Sequence, residues 1–124
     1  MAPNYTVELT EIAIKINELL PQLSDFIGQF NNVVSTTNIN VITDSSGNMS
    51  IDVPVTMPDI EAEKISKRIN IIDRLITLRG QEINDLLQKG LNLETKLKAQ
   101  NPNYTSQILA KVDEFNRLNF SYKH

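Results

Sequence analysis

Few residues in this sequence have side chains that could catalyse a reaction. His124 is the one histidine among 124 residues, and it stands at the very end of the sequence. A catalytic imidazole needs a partner that fixes its tautomer, so we expect His124 to be solvated or to lie at an interface. The sequence has no cysteine, which removes thiolate zinc sites and thiol nucleophiles. These features predict a protein that is not an enzyme.

The acidic residues do not suggest a metal site either. Glu61 and Glu63 are two residues apart, so on a helix their side chains diverge, and we interpret them as charges that complement a helix N-terminus. A faint calcium-loop pattern surrounds a turn, at Asp44, Ser46, Asn48 and Asp52. A calcium loop of the EF-hand type places glycine sixth, whereas Gly47 is fourth here. We therefore expect a hairpin turn and no bound metal, cofactor or small-molecule ligand.

The charge balance excludes other classes of partner. The net charge is −3 and the isoelectric point is about 5.1, whereas nucleic-acid binders carry a basic surface. The one modest basic group is interpreted as a solvated helix face that could also meet an acidic partner: Lys64, Lys67, Arg68 and Arg74. No run of 18 apolar residues is present and the first ten residues do not resemble a secretory signal. We expect no membrane insertion, and a virion or intracellular location.

Residues 7–34 show the pattern of a helix that packs against a partner helix. Apolar residues alternate at spacings of three and four over four heptads, at Leu9, Ile12, Ile16, Leu19, Leu23, Phe26, Phe30 and Val33. A second apolar stripe lies beside this seam, at Ala13, Leu20, Ile27 and Val34. Thr6 is the predicted N-cap. Pro21 removes one helical hydrogen bond, and the sequence leaves open whether it kinks or splits the helix.

Two further patterns follow along the chain. Residues 38–56 alternate between apolar and polar side chains on both sides of the turn from Asp44 to Asn48, which predicts a β-hairpin. Residues 59–99 predict a long helix whose seam runs through Ile65, Ile69, Ile72, Ile76, Arg79, Ile83, Leu86, Gly90, Leu93 and Leu97. Arg79 and Gly90 interrupt this seam.

Arg79 has two interpretations. A buried guanidinium needs a carboxylate partner, and Asp25 or Glu18 of the first helix could supply one, which would fix the register of the two helices. Alternatively, Arg79 extends along the seam and places its charge in solvent. The sequence does not separate these two possibilities.

The expected fold is mainly α and forms a single domain over residues 1–124. A last helix is predicted over residues 104–118, with Ile108, Leu109, Val112 and Phe115 on one face. We expect an elongated helical bundle of two long antiparallel heptad helices and this short C-terminal helix, with one β-hairpin between helices 1 and 2. Sequence does not determine whether the seams pair within one chain or between chains.

The order of helix, hairpin and longer helix resembles the β-type subunit of prefoldin, a hexameric co-chaperone. The hairpin sequence from Val41 to Ile51 is similar to that family's hairpin, which has a Ser/Gly turn followed by apolar strand residues. The resemblance implies hairpins that assemble into a platform and helix tips that hold unfolded proteins. The sequence departs from that family in its shorter first helix, in Pro21 and in its third helix.

The sequence indicates a structural subunit that packs against other protein chains through apolar helix faces. We expect a homo- or hetero-oligomeric assembly, with both chain ends packed against neighbours. A small virion protein of a phage or virus capsid or tail is the leading interpretation. A prefoldin-like chaperone and an accessory subunit of a cellular or organellar complex are the alternatives. The predicted interaction residues are Ile14, Leu20, Ile27, Ile71, Leu75, Leu78 and Arg79.

Overall fold

The computed structural model describes residues 4–46 and 49–122. Its elements are α1 (Tyr5–Thr37), β1 (Asn40–Thr43), β2 (Met49–Asp52), α2 (Asp59–Gln100) and α3 (Leu109–Ser121). The mainly α fold with one hairpin between the first two helices is confirmed. Gly47, Asn48 and His124 lie outside the described residues, as do the first three residues of the chain.

Helix α1 is longer than predicted at both ends. Asn4, not Thr6, is the N-cap: its Oδ1 accepts a hydrogen bond from the backbone N–H of Val7 at 3.2 Å. The helix ends at Thr37, and its C-cap Asn38 has a φ of 55°, a left-handed conformation that asparagine tolerates better than most residues. Pro21 lies inside α1 without splitting it.

Contacts along the chain show that α1 and α2 are antiparallel. Glu8, near the start of α1, approaches Lys89 at 4.0 Å, whereas Gln22 bonds to Arg79. Moving forward along α1 therefore means moving backward along α2. The two helices pack within one chain, which answers the question that their seams left open.

Helix α3 folds back along both long helices. Lys111 donates a hydrogen bond to Asn17 at 2.5 Å, and Asn31 donates one to the carbonyl of Ser121 at 2.9 Å. Because both sets of numbers increase together, α3 runs parallel to α1. Ile108 and Phe115 contribute to the same buried cluster as the two seams, so the three helices share one core.

The hairpin is a two-stranded antiparallel sheet. Its register pairs Val41 with Ile51 and Thr43 with Met49. Val41, Met49 and Ile51 are half-buried against the core, whereas Ile42 faces solvent. At the turn, Asp44 accepts a hydrogen bond from the backbone N–H of Ser46 at 2.9 Å, a local arrangement that favours a turn.

Gly90 interrupts the seam of α2 because three helical segments meet there. A Cβ atom at this position would lie 3.0 Å from Cδ1 and 3.1 Å from Cγ1 of Ile108, and 3.5 Å from Cγ2 of Ile12. No side chain larger than hydrogen fits without moving its neighbours. Gly80, on the same helix, has no atom within 4 Å of the corresponding Cβ position.

Leucine at these two glycine positions is expected to have opposite effects. Gly90→Leu inserts a side chain into a filled space and should destabilise the fold by about 3 kcal/mol. Gly80→Leu should stabilise it by about 0.5–1 kcal/mol, because glycine is a poor helix former. Urea denaturation of both variants measures the difference. Equal stability of the two variants would contradict the close packing at Gly90.

Candidate protein-interaction surface

Two of the predicted interaction residues are not on the surface. Leu20 and Ile27 are only 2% and 3% exposed, inside the core of the chain itself. Asn17 and Asn31, which bond to α3, lie three and four residues from them and so share their helix face. The second stripe of α1 is therefore covered by α3, and the expectation that Leu20 and Ile27 face a partner is wrong.

The other apolar residues of the predicted set remain accessible. Ile71 is 59% exposed, Leu78 is 49% exposed and Leu75 between them is half-buried. Spacings of four and three residues place all three on one side of α2. Ile14 is 55% exposed but lies on α1. The structure thus brings Ile71, Leu75 and Leu78 together and leaves Ile14 apart.

Arg79 makes contacts that differ from both predictions, which were a carboxylate partner on α1 and a charge placed in solvent. Its Nε donates to Oε1 of Gln22 on α1 at 2.9 Å, and its Nη1 donates to Oε1 of Glu82 at 2.6 Å. Asp25 bonds to Gln29 and Glu18 pairs with Lys15, so neither predicted carboxylate is its partner. Arg79 is about one third exposed, and links the two helices through an amide at the edge of the core.

The exposed apolar residues belong to a continuous stripe on α2. At 100° per residue, eight side chains between residues 60 and 85 fall within roughly 80° of the helix circumference. We call them the outer face: Ile60, Lys64, Lys67, Ile71, Leu75, Leu78, Glu82 and Asp85. The stripe is ~38 Å long at ~1.5 Å per residue. Asp73, which contacts Tyr122 after α3, is about half a turn from its centre, so the outer face lies opposite α3.

An open groove borders the outer face where α2 meets α1. Its volume is about 480 Å³. Its lining consists of Gln29, Lys64, Lys67, Arg68, Ile71, Ile72 and Leu75. The floor is thus aliphatic and one end carries three positive charges, a surface that fits an apolar side chain with acidic neighbours.

Charge is divided between the two ends of the outer face. Lys64 and Lys67 precede its apolar centre, and Glu82 and Asp85 follow it. Lys67 pairs with Glu63 at 3.2 Å on the same helix. Lys64 and Asp85 form no ion pair within residues 4–46 and 49–122, and both are exposed. The face therefore presents opposite charges that are still available to a partner.

A different part of α2 contains the buried charge that the sequence analysis missed. Glu94 is buried and accepts four hydrogen bonds from the segment that precedes α3. The donors are the hydroxyl of Tyr104 at 2.6 Å, the hydroxyl of Ser106 at 2.5 Å, and the backbone N–H groups of Gln107 at 2.7 Å and Ile108 at 3.4 Å. The clue in the sequence is that Glu94 is four residues after Gly90 and therefore shares the core side of the helix.

Burial and hydrogen bonding act in opposite directions on Glu94. Burial raises the pKa of its carboxyl group, but the bonds from Ser106, Tyr104, Gln107 and Ile108 outweigh it and hold the pKa below 4.5. Burial and the negative Glu94 raise the pKa of the Tyr104 hydroxyl to about 12. The arrangement keeps one partner ionised and the other neutral, as the hydrogen bond between them requires.

Glu94 also explains why α3 begins later than predicted. The helix starts at Leu109 rather than at residue 104, because Glu94 holds the backbone N–H groups of Gln107 and Ile108 in a turn. Ser106 then accepts a hydrogen bond from the N–H of Leu109 at 3.1 Å. One carboxylate thus positions the whole segment between α2 and α3.

The far end of α3 is fixed by Tyr122. Its ring packs edge-on against Phe30, with 4.7 Å between ring centroids. Its hydroxyl donates a hydrogen bond to Asp73 of α2. Burial, and then this carboxylate, raise the pKa of Tyr122 above that of an ordinary tyrosine. The groups with shifted pKa values, at both ends of α3, therefore attach this helix to the two long helices.

Neither a metal site nor a membrane span is apparent in the part of the chain that the structure describes. No group of three histidine, cysteine, aspartate or glutamate side chains there is placed to hold an ion. No described helix combines the length and the hydrophobicity needed to cross a bilayer. Compared with known proteins, the chain matches no protein-family model, no curated protein and no solved structure at a significant level.

Proposed function

We propose that this chain is a non-enzymatic structural subunit that joins an assembly through the outer face of α2. The observation that carries the proposal is the solvent-exposed apolar centre of that face, at Ile71, Leu75 and Leu78. Contiguous apolar surface of this kind, bordered by charged residues, is typical of protein–protein contacts.

The use of the ionisable groups supports this proposal. Glu94, Tyr104 and Tyr122, whose pKa values are shifted, hold the third helix in place through hydrogen bonds. Perturbed groups in an enzyme usually line a cleft that admits a substrate. Here they connect elements of the fold, which agrees with a structural role.

A prefoldin-like chaperone is the second candidate. The two proposals differ in the surface that they use, because a chaperone of this kind binds its clients at the helix tips. Such a chaperone needs accessible apolar surface at the tip formed by the start of α1 and the end of α2. In this chain the segment before α3 covers part of that end, because Tyr104 and Ser106 bond to Glu94. The exposed apolar centre of the outer face, at Ile71, Leu75 and Leu78, lies away from that tip, which favours the structural subunit.

Among possible assemblies we favour a virus particle, as a small component of a capsid or tail. An accessory role in a cellular or organellar complex is the alternative. Both assemblies would use the outer face of α2, and both predict the same effect when residues of that face are substituted. One experiment therefore tests the proposal that they share.

The test is sedimentation of the chain in native extracts on a density gradient. We expect the wild-type chain to sediment with a particle far heavier than its own 14.0 kDa. Ile71→Glu combined with Leu78→Glu should move it to the light fractions, because the apolar centre is lost. Ile14→Glu, an equally exposed isoleucine on α1, is the matched control and should leave sedimentation unchanged.

Two results would count against the proposal. A wild-type chain found only in the light fractions would contradict a role in a large assembly. Suppression of light scattering from a denatured client by the purified chain would instead support the chaperone, provided that the variants at Ile71 and Leu78 suppress it equally well.

A further inference from the structure

The outer face of α2 is complementary to itself when two copies are antiparallel. Ile71 and Leu78 lie at equal distances on either side of the midpoint between Arg74 and Leu75. Lys67 and Glu82 are also placed symmetrically about this midpoint, and so are Lys64 and Asp85. A two-fold axis through it would therefore bring Ile71 opposite Leu78 and both of these lysines opposite a carboxylate. Leu75 would face Arg74 of the other copy.

We propose that a second copy of this chain docks antiparallel on the outer face of α2, with the two-fold axis between Arg74 and Leu75. This inference deepens the proposed function and rests on it, because it names the first partner of the face. A two-fold contact uses the same patch on both subunits. The symmetric placement of charge is what selects a second copy over an unrelated chain.

The centre of the contact is mainly aliphatic on both sides. Ile71 of one copy meets Leu78 of the other, and Leu75 lies against the aliphatic stem of Arg74 of the other copy. Ile71 and Leu78 are each about half exposed in the single chain, so both have surface to bury. The groove of about 480 Å³ beside Ile71 and Leu75 gives the partner's Leu78 a place to insert, as a knob enters a hole in helix packing.

Charges on both sides of this centre fix the direction and the register. Lys64 of one copy faces Asp85 of the other, and Lys67 faces Glu82, each pair occurring twice. Glu82 is already bonded to Arg79 and Lys67 to Glu63 within the chain, so these pairs add to existing networks. Lys64 and Asp85 have no such ion pair in the described ranges and are the pair whose exchange is most informative.

The face is small for a protein–protein contact. Two helices that meet along ~38 Å form a contact at the small end of specific interfaces, which begin at about 1,200 Å² of buried surface. Contacts of this size are commonly transient, so we expect a dissociation constant on the order of micromolar.

Analytical ultracentrifugation of the purified chain tests the proposal. We expect a concentration-dependent mass that rises from 14.0 kDa to twice that value. Ile71→Glu should abolish the increase while circular dichroism stays that of the folded chain, because Ile71 is exposed. Ile14→Glu, with similar exposure on α1, should dimerise as the wild type does.

A charge exchange tests the antiparallel register. Lys64→Glu and Asp85→Lys should each weaken self-association at least about tenfold, because each places like charges opposite one another twice. An equimolar mixture of these two variants should dimerise again, since every pair across the axis regains opposite charges. The double variant should likewise associate as well as the wild type.

Each outcome separates this inference from the proposed function. A wild-type chain that remains monomeric to several hundred micromolar, or a mixture that does not recover, overturns the antiparallel second copy. If that same chain still sediments with a heavy particle in native extracts, the structural role survives with another partner on the face. A purified dimer that is never found in a heavy particle supports the inference and contradicts the larger assembly.

Discussion

Ile72→Asp is expected to unfold the protein. Ile72 is 5% exposed on the side of α2 that packs against the core. The substitution removes a buried aliphatic side chain, which costs about 2–5 kcal/mol, and places a charged group in a largely buried position, where it is poorly solvated. A total loss of about 5 kcal/mol or more approaches the whole stability of a typical domain.

Circular dichroism with urea denaturation measures this effect. The control is Ile14→Asp, the same chemical change at a residue that is 55% exposed, which should cost less than about 1 kcal/mol. Ile14 lies outside the outer face of α2, so a change in self-association does not enter the comparison. A urea midpoint of Ile72→Asp near that of the control would show that the α2 seam is wrongly placed.

Glu94→Ala is expected to detach α3 while α1 and α2 remain paired. The substitution leaves the N–H groups of Gln107 and Ile108 without their acceptor, and it removes the partner of the Tyr104 hydroxyl. Loss of hydrogen bonds to a buried charged group of this kind should cost about 3 kcal/mol. Detachment would also expose Leu20 and Ile27, which α3 covers.

Hydrogen exchange is the measurement that localises this effect. Amide protons of α3 and of Gln107 should exchange about 100-fold faster in Glu94→Ala, as ~1.4 kcal/mol per tenfold change requires. Amides in the α1–α2 seam, such as those of Ile16 and Ile76, should change much less. The control is Glu63→Ala, which removes an exposed carboxylate and should change stability by no more than about 0.5 kcal/mol.

The same residue gives a pH dependence of known sign. The pKa of Glu94 is lower in the folded chain than its ordinary 4.5, so the unfolded chain binds the proton more readily. Its contribution is therefore complete above about pH 4.5 and is lost as the pH falls through the lowered pKa of the folded state. Acid should lower the protection of the α3 amides relative to their exchange rates in an unfolded chain at the same pH, and Glu94→Ala should lack this component.

Local sequence patterns predicted the order of elements and most of the core. Heptad spacing identified most of the buried residues of both long helices, from Leu9 to Val33 and from Ile69 to Leu93, because side chains three and four residues apart share a helix face. The buried Leu87 and Glu94 lie outside the predicted seam. The alternation around Asp44 identified the hairpin in the same way. These features depend on neighbours in the sequence, so a local pattern is sufficient to predict them.

Tertiary structure alone decided which faces meet. Leu20 and Ile27 resembled a surface for a partner, yet α3 covers them, and the sequence did not determine on which side of α1 that helix would lie. Arg79 bonds to Gln22, and Glu94 bonds to the turn before α3. These partners are far apart in the sequence, so a periodic pattern does not predict them. A buried polar group requires a partner, but which partner it obtains depends on the packing of whole helices. That packing is also what leaves Ile71, Leu75 and Leu78 exposed, and so distinguishes the face of α2 as the surface for assembly.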